Sequence, residues 1–317
     1  MKEYYDVIII GSGIAGMTAA IYLKRSGINP LIIEENAPGG QLNKINMIEN
    51  YPGFKKTDGP TLAAEIFSQV RSLDIEYLFD KVIKTDLRKE IKEIVIGGTK
   101  LYCKYLVIAT GRISKKLFDD DRYIGNGISY CALCDGNLYK NKNVVVVGGG
   151  NSALEEALYL SDICKNVTMI VRGDKFKGEN SLIMRVLERD NIKCMYNCNV
   201  TEYIIENNKL ISVKLDDNEI MNAEGLFVSI GSVPSADIFD VEKEKGFIIV
   251  NNDCKTNIEN VYACGDVIKK SVYQLTTAAA EGTIVANSII KNKKTVDITK
   301  TIWYIIKRRL KKEWLIT

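Results

Sequence analysis

Two stretches of this chain repeat one pattern at a constant offset of 137 residues: Val7 to Glu35 reads VIIIGSGIAGMTAAIYLKRSGINPLIIEE, and Val144 to Arg172 reads VVVVGGGNSALEEALYLSDICKNVTMIVR. Each stretch runs from an apolar segment through a glycine-rich turn and a helical segment to a second apolar segment. A near-continuous apolar run fits a strand buried on both faces, and a strand–helix–strand order is how neighbouring parallel strands are joined. Two such units in 317 residues predict an α/β fold of two Rossmann-like dinucleotide-binding domains of the three-layer ββα kind.

In the first copy the strand Asp6 to Ile10 leads straight into Gly11-Ser12-Gly13-Ile14-Ala15-Gly16. Gly11, Gly13 and Gly16, with Ala15 between them, allow a tight turn and a close approach of backbone to pyrophosphate. The helix start adds N–H donors and the positive end of its dipole. Glu34 closes the next strand 23 residues after Gly11, where a carboxylate meets a ribose hydroxyl. Other segments fit FAD. Pro38 to Leu42, with Gly40 and Gln41, follows Glu34 closely, and Ala109-Thr110-Gly111 ends the apolar run Tyr105 to Ile108. Gly265 and Asp266 lie in Tyr262 to Val267, and a small-residue helix is predicted from Gln274 and Leu275 to Ile290. These last two pieces lie beyond the second copy, so the second domain is expected to be inserted into the first. Residues 1–113 and 243–292 then form a split FAD-binding domain, 114–242 an NAD(P)H-binding-like domain, and 293–317 a C-terminal tail.

Composition narrows the chemistry. There is no histidine, so Ser-His-Asp and Cys-His catalysis and histidine metal sites are excluded, and protons must move through carboxylate, tyrosine, lysine or thiol. No apolar run is long enough to span a membrane and the N-terminus enters a strand at once, which points to a cytoplasmic protein with no membrane partner. Net charge is +3, yet Lys293 to Thr317 holds eight Lys/Arg against two Asp/Glu, leaving 35 basic and 38 acidic residues in the first 292. A nucleic-acid face on the body therefore has no support. Eight cysteines in a chain of this size do not read as a disulfide framework and point to a reducing compartment. Cys103, Cys164, Cys194, Cys198, Cys254 and Cys264 are scattered and read as buried thiols. Cys131 and Cys134 differ: Ser129-Tyr130-Cys131-Ala132-Leu133-Cys134-Asp135-Gly136 puts two sulfurs within disulfide reach at a predicted helix start, whose dipole lowers a thiol pKa. A redox pair is the first reading. Two structural thiols, or a zinc site short of two further ligands, are the others. Asp135 reads as a proton donor or acceptor for such a pair, or as an acid that settles the first helical turn.

GSGIAG, PGGQL, ENYPGF (Glu49 to Phe54), ATG, SYCALCDG, GGGNSALEEALYL, YACGDV and YQLTTAAAEG occur in this order and together, over roughly residues 5 to 290, resemble the low-molecular-weight thioredoxin reductases. The resemblance implies FAD in the split domain, with Asn50 of ENYPGF, Gln274 and Leu275 among its contacts. It implies hydride transfer from NADPH to flavin, then electrons to the Cys131–Cys134 disulfide and on to thioredoxin. Cys134 would face the flavin, Cys131 would attack the thioredoxin disulfide and Asp135 would be the acid/base. A homodimer is also implied, with two domains that rotate so that the flavin meets either nicotinamide or dithiol.

The second copy departs from the first where recognition is decided. Gly148, Gly150 and Ala153 keep a GxGxxA turn, but Val171 stands where the first copy has Glu34, so the acid that an NAD site wants is missing. An NADP site wants arginines, whose guanidinium grips phosphate with two parallel hydrogen bonds. The family pattern HRRxxxR is here Val171-Arg172-Gly173-Asp174-Lys175-Phe176-Lys177: one arginine remains, glycine replaces the second and lysine the third. NADPH binding is expected to be weak or absent. In the tail, Ile298, Ile302, Ile305, Ile306, Leu310 and Trp314 recur at roughly helical spacing, with Lys307, Arg308, Lys311 and Lys312 on the other side. Such a helix can dock on its own body or dimer mate, close as a lid bearing Trp303 or Tyr304, offer a basic face to an acidic protein, or lie on a membrane surface. A lost motif and an added basic tail resemble the ferredoxin-linked, NADPH-independent branch of the family. Reduced ferredoxin is therefore the donor preferred from sequence, with weakly bound NADPH the alternative. Two rivals are a flavin dithiol oxidase, disfavoured by Asp135 and the absence of histidine, and a flavoprotein that only binds, disfavoured by the intact CxxC-Asp-Gly.

Overall fold

The structure, a computed structural model, describes residues 2–293 except Asn46, 119–122, Ile124 and Asp217. The readings placed on 294–317, Trp303 and Trp314 among them, lie outside the described residues. From the N-terminus run β1 (Tyr4–Ile10), α1 (Ile14–Arg25), β2 (Pro30–Glu34), a 3-10 turn (Gly40–Lys44), α2 (Gly59–Ser72), β3 (Glu76–Phe79), β4 (Val82–Asp86), β5 (Lys92–Ile96) and β6 (Thr99–Ile108). The strand β7 (Arg112–Ser114) crosses to β8 (Ile128–Ser129), α3 (Ala132–Asp135), a 3-10 turn (Gly136–Tyr139), β9 (Asn143–Val147), α4 (Asn151–Ser161) and β10 (Asn166–Val171). There follow α5 (Asn180–Leu187), β11 (Ile192–Tyr196), β12 (Val200–Glu206), β13 (Lys209–Leu215), β14 (Ile220–Asn222) and β15 (Gly225–Val228). The strand β16 (Ser232–Pro234) crosses back to β17 (Lys243–Glu244), β18 (Phe247–Ile248), β19 (Val261–Ala263), a 3-10 turn (Gly265–Val267) and a last helix, α6, over 275–293.

The fold is α/β, built on two Rossmann-like sheets. In the first, β3, β2, β1 and β6 are parallel neighbours in that order. The long β6 is shared on its other edge: its first half pairs antiparallel with β5 and its second half parallel with β19. The second sheet, β11-β10-β9-β15-β8, is parallel throughout, and β12-β13-β14 form an antiparallel sheet packed beside it. Side chains alternate across each strand. Val7 and Ile9 enter the core under α1, α2 and α6, while Ile8 and Ile10 enter the core under β4 and β5. Val144 and Val146 face α4 and α5, while Val145 and Val147 face β12 and β13. The unbroken apolar runs Val7 to Ile10 and Val144 to Val147 follow from this two-sided burial. Local signals set the helices as well: Asp58 caps α2 by accepting the Thr61 N–H at 2.8 Å, with Pro60 in the first turn, a cap worth about 1 kcal/mol.

The two crossovers run side by side, β7 paired antiparallel with β16. Ala236, Phe239 and Val241 are already buried in the core of the first sheet, ahead of the return expected at 243. The helix expected from Gln274 to Ile290 starts one residue later and continues to 293. Near the limit of the described residues it is tied to the first sheet by Asn292, which donates to the Tyr262 hydroxyl at 3.1 Å, and by Lys293, 2.6 Å from Asp6.

Candidate functional site: two glycine turns and a disulfide

The first turn is locked between strands. Gly11 has φ +103°, and a Cβ there would stand 2.3 Å from the Ala109 carbonyl, so only glycine fits. Its N–H donates to Ile33 O, and the Ala109 N–H donates to Ile10 O, both at 2.8 Å. Gly16 lies so close to Gly11 that a Cβ would be 2.1 Å from its carbonyl. Gly13 begins the twelve-residue α1 with no side-chain cap, and a Cβ on it would meet nothing within 4 Å. An uncapped helix start facing open space is a donor set for a phosphate. Gly39 returns to this turn, its N–H donating to Ser12 O at 3.0 Å, with Gly40 beside Gly13. Glu34 braces it: Oε2 accepts the Ser12 N–H at 2.8 Å and hydroxyl at 3.1 Å, and Oε1 accepts the Asn36 N–H at 3.0 Å.

The later segments converge on Ala15 of α1. A Cβ on Gly282 of α6 would stand 2.3 Å from Ala15 O, and one on Gly265 3.0 Å from Ala15 Cβ. Asp266 is held by Lys270 at 3.2 Å, and Lys270 by Glu281 at 3.0 Å. Glu281 also accepts the Gly265 N–H at 2.8 Å. Asn50 donates to the Gln274 side-chain oxygen at 3.4 Å, one residue before Leu275 opens α6. Of the sequence-predicted contacts, Gly11, Gly13, Ala15, Gly16, Gly40, Ala109 and Gly265 gather around one turn, and this cradle with its open helix start fits the pyrophosphate of FAD. Two others point their side chains elsewhere. The Thr110 hydroxyl donates to Ser235 O at 2.5 Å, and the Gln41 amide to Arg112 O at 2.7 Å, so both tie the cleft to the crossover. Sequence spacing missed Ser12 and Arg112. The Arg112 guanidinium lies between Phe247 and Tyr273, 5.4 and 5.1 Å from their ring centres, and donates to Ser232 O at 3.1 Å.

The second turn repeats the first nearly bond for bond. Gly148 has φ +145°, and its Cβ would meet Ser229 O at 2.2 Å. Its N–H donates to Ile170 O at 3.0 Å, and the Ser229 N–H to Val147 O at 2.8 Å. Gly150 starts α4 with no side-chain cap and nothing within 4 Å of its Cβ position. The braced pair is what changes. Gly149 replaces Ser12 and Val171 replaces Glu34; Val171 is buried, 2.9 Å from where a Gly149 Cβ would stand. An apolar contact has taken the place of the carboxylate. The loop after β10 is anchored by buried Phe176 against Tyr196, ring centres 5.3 Å apart, and by the Lys177 N–H donating to Gly149 O at 2.7 Å. It carries Arg172, Lys175 and Lys177, all exposed and none in an ion pair among the described residues.

Cys131 and Cys134 are joined in a disulfide. The expected helix start is a single four-residue turn, α3, whose first cap is Cys131: its sulfur accepts the Cys134 N–H at 3.2 Å. Cys131 is 7% exposed while Cys134 is exposed, its sulfur 3.8 Å from Asn43 O in the 3-10 turn beside the first glycine cradle. Asp135 accepts from the Ser129 hydroxyl at 2.7 Å, and that same oxygen accepts the Cys131 N–H at 3.1 Å. Burial and the nearby Asp135 charge push the Tyr139 hydroxyl up. Of the other cysteines, five are buried and Cys194 is half-buried. Burial raises Cys103 and Cys254 to about 12, which leaves them as inert packing groups.

The family profile described as pyridine nucleotide-disulphide oxidoreductase matches residues 5–282. The chain belongs to this family. It is an oxidoreductase, and its likeness to known enzymes extends over nearly its whole length. The thioredoxin reductase of Bacillus subtilis (strain 168) is 36% identical over 298 residues, 91% of this oxidoreductase and 94% of its own length. The crystal structure of Lactococcus lactis thioredoxin reductase in its FR conformation superposes with a TM-score of 0.83 at 35% identity, covering 90% of this chain and 98% of that one. The thioredoxin reductase from Streptococcus pyogenes MGAS5005 gives 0.61 at 32% identity, covering 93% and 100%.

Proposed function

We propose that this oxidoreductase is a flavin-dependent thioredoxin reductase, with FAD at the first turn, Cys131–Cys134 as its redox disulfide and a thioredoxin as final acceptor. The observation that carries this reading is the seating of the disulfide. Cys134 touches the 3-10 turn that begins at Gly40, and Gly40 lies against Gly13 at the head of α1. Cradle and disulfide therefore meet at one 3-10 turn, Gly40–Lys44. FAD, when bound, supplies the two-electron reduction of the disulfide at the expense of a reduced donor. The chain's part is to hold and to exchange. Gly11, Gly13, Ala15 and Gly16 with the α1 start grip the pyrophosphate; Glu34 fixes the turn and offers its remaining lone pairs to a ribose. Asp266, steadied by Lys270, and the α6 start at Gln274 and Leu275 hold the far end, with Asn50. The reduced Cys131 thiolate attacks the thioredoxin disulfide and releases one thioredoxin thiolate. Cys134 then attacks the mixed disulfide, so the S–S bond re-forms here and thioredoxin leaves with two thiols. Asp135, bonded to Ser129, takes up and returns the proton that alternates on the pair.

At 7% exposure Cys131 cannot meet a protein disulfide in this arrangement, so exchange requires the two halves to turn about the paired crossovers β7 and β16. Two solved relatives close in identity yet far apart in superposition score support two arrangements of similar halves. We place the inserted unit between these crossovers, its return near β16. For the donor, NADPH stands ahead of ferredoxin. The charge lost at Gly173 is returned at Lys175, and with Arg172 and Lys177 it leaves three free cations beside an intact turn, which suits a 2′-phosphate. The test is reduction of a thioredoxin by the purified yellow enzyme. Cys134→Ser is expected to keep flavin and lose that activity to background. A colourless folded protein, or turnover retained in the variant, contradicts the reading.

A further inference from the structure

The second copy carries a carboxyl that neither the nucleotide turn nor the Asp135–Ser129 pair uses. Glu156 sits on α4 at the position where the first copy has the fully buried Ala19. Its Oε2 is buried with no hydrogen-bond partner, an arrangement that costs free energy and calls for a reason. Burial above all, and then Glu155 on the same helix, push this carboxyl up to about 7, against the pull of the Ala132 N–H and the Lys44 ammonium. Ala132 directly follows Cys131 on α3. Lys44 comes from the other side of the seam, closing the 3-10 turn whose Asn43 O touches the Cys134 sulfur. Its Nζ donates to Ser114 Oγ at 3.1 Å on the crossover, and burial pushes its amine down. One carboxyl thus reaches the residue after Cys131 and one amine follows the residue that touches Cys134, each disfavoured in its charged form by burial.

We propose that Glu156 and Lys44 are positioning residues for the redox pair, setting by their opposite charges how much thiolate the reduced Cys131–Cys134 pair carries near neutral pH. The inference rests on the reading of that pair as the redox centre. In a partly buried seam a like charge disfavours ionisation and an opposite charge favours it. Ionised Glu156 therefore opposes a thiolate beside Ala132, and charged Lys44 supports one beside Asn43. Asp135, bonded to Ser129, is the remaining charge on α3, and Tyr139 behind it is neutral because burial and Asp135 raise it. Removing Glu156 and removing Lys44 must then act with opposite signs, which a merely structural role would not produce.

The test uses the FAD-loaded enzyme, reduced anaerobically with dithiothreitol and alkylated with iodoacetamide across neutral pH, the label read at each cysteine by peptide mass spectrometry. Near neutral pH, Glu156→Gln is expected to react about threefold faster and Lys44→Met about threefold slower, each a shift of about half a pK unit, with Lys44→Arg at the wild-type rate. Shifts of the same sign, or no shift in either variant, overturn the proposal. If Lys44→Met does not fold, Glu156→Gln decides alone, and an unchanged rate overturns it. Thioredoxin turnover measured alongside separates the two readings: a wild type that reduces no thioredoxin overturns the redox reading, whereas normal turnover with unmoved alkylation overturns only this inference.

Discussion

The two glycine turns share their skeleton and differ in their bracing. Gly11 and Gly148 make equivalent bonds to Ile33 and Ile170, and both sit against a carbonyl that leaves no room for a Cβ. Yet Ser12 and Glu34 form a polar brace, whereas Gly149 and Val171 meet as apolar surface. The backbone of a dinucleotide turn is thus separable from its recognition chemistry. The first turn keeps its carboxylate; the second has given it up and presents three unpaired cations instead. A carboxylate with lone pairs to spare suits a ribose hydroxyl, and unpaired cations suit a phosphate.

The largest effects should come from breaking either skeleton. Gly11→Ala places a Cβ 2.3 Å from Ala109 O and Gly148→Ala one 2.2 Å from Ser229 O, each costing a few kcal/mol at a positive φ. Gly11→Ala is expected to give a protein without flavin absorbance; Gly148→Ala should stay yellow but no longer be bleached by NADPH. Equal loss of flavin in both would erase the division of labour. Next comes the brace. Glu34→Val imitates the second copy and leaves the Ser12 N–H and hydroxyl without their acceptor, a penalty of about 1–3 kcal/mol, to be read as weaker FAD retention on dialysis. Gly173→Arg works in the other direction. Its backbone is not left-handed, and a Cβ would meet only Lys175 O at 3.8 Å. NADPH should bind roughly fivefold tighter, about 1 kcal/mol for one exposed charge-assisted contact, with NADH unmoved. Lys175→Ala should weaken NADPH alone by a smaller factor. A last effect, confined to one pH window, concerns Glu156, which stands where the first copy has Ala19. Because Glu156 is raised from 4.5 to about 7, the folded state binds its proton more tightly than the unfolded one. That contribution to stability is fully present below about 4.5 and is lost as pH rises through about 7, in keeping with proton linkage. Glu156→Gln should flatten the fall in Tm over this window, and an unchanged slope would show that the carboxyl titrates normally.

Much of this was legible in the sequence because it is local. Strand, turn and helix follow from apolar runs and glycine spacing, and the two-sided burial of Val7 to Ile10 and Val144 to Val147 follows from runs with no polar interruption. The CxxC pair was equally plain. What spacing could not show were contacts between distant residues: Thr110 with Ser235, Gln41 with Arg112, and Lys44 with Ser114. None of these leaves a period in the chain. The early return to the first core at Ala236, Phe239 and Val241 was hidden because four apolar residues broken by Asp237 and Asp240 make no recognisable strand or helix. Lys175 was visible throughout, but matching a motif position by position counts the loss at Gly173 and overlooks a charge restored two residues later. The loss counted at Gly173, together with the basic tail, is what favours ferredoxin in the sequence.

The donor is therefore the place to test the account. Anaerobic stopped-flow of the oxidised, FAD-loaded enzyme against NADPH, NADH and photoreduced ferredoxin, each alone, reads the flavin absorbance directly. Fast bleaching by NADPH, slower bleaching by NADH and no advantage for ferredoxin is the predicted result. Rapid reduction by ferredoxin with a flavin left untouched by NADPH would contradict it.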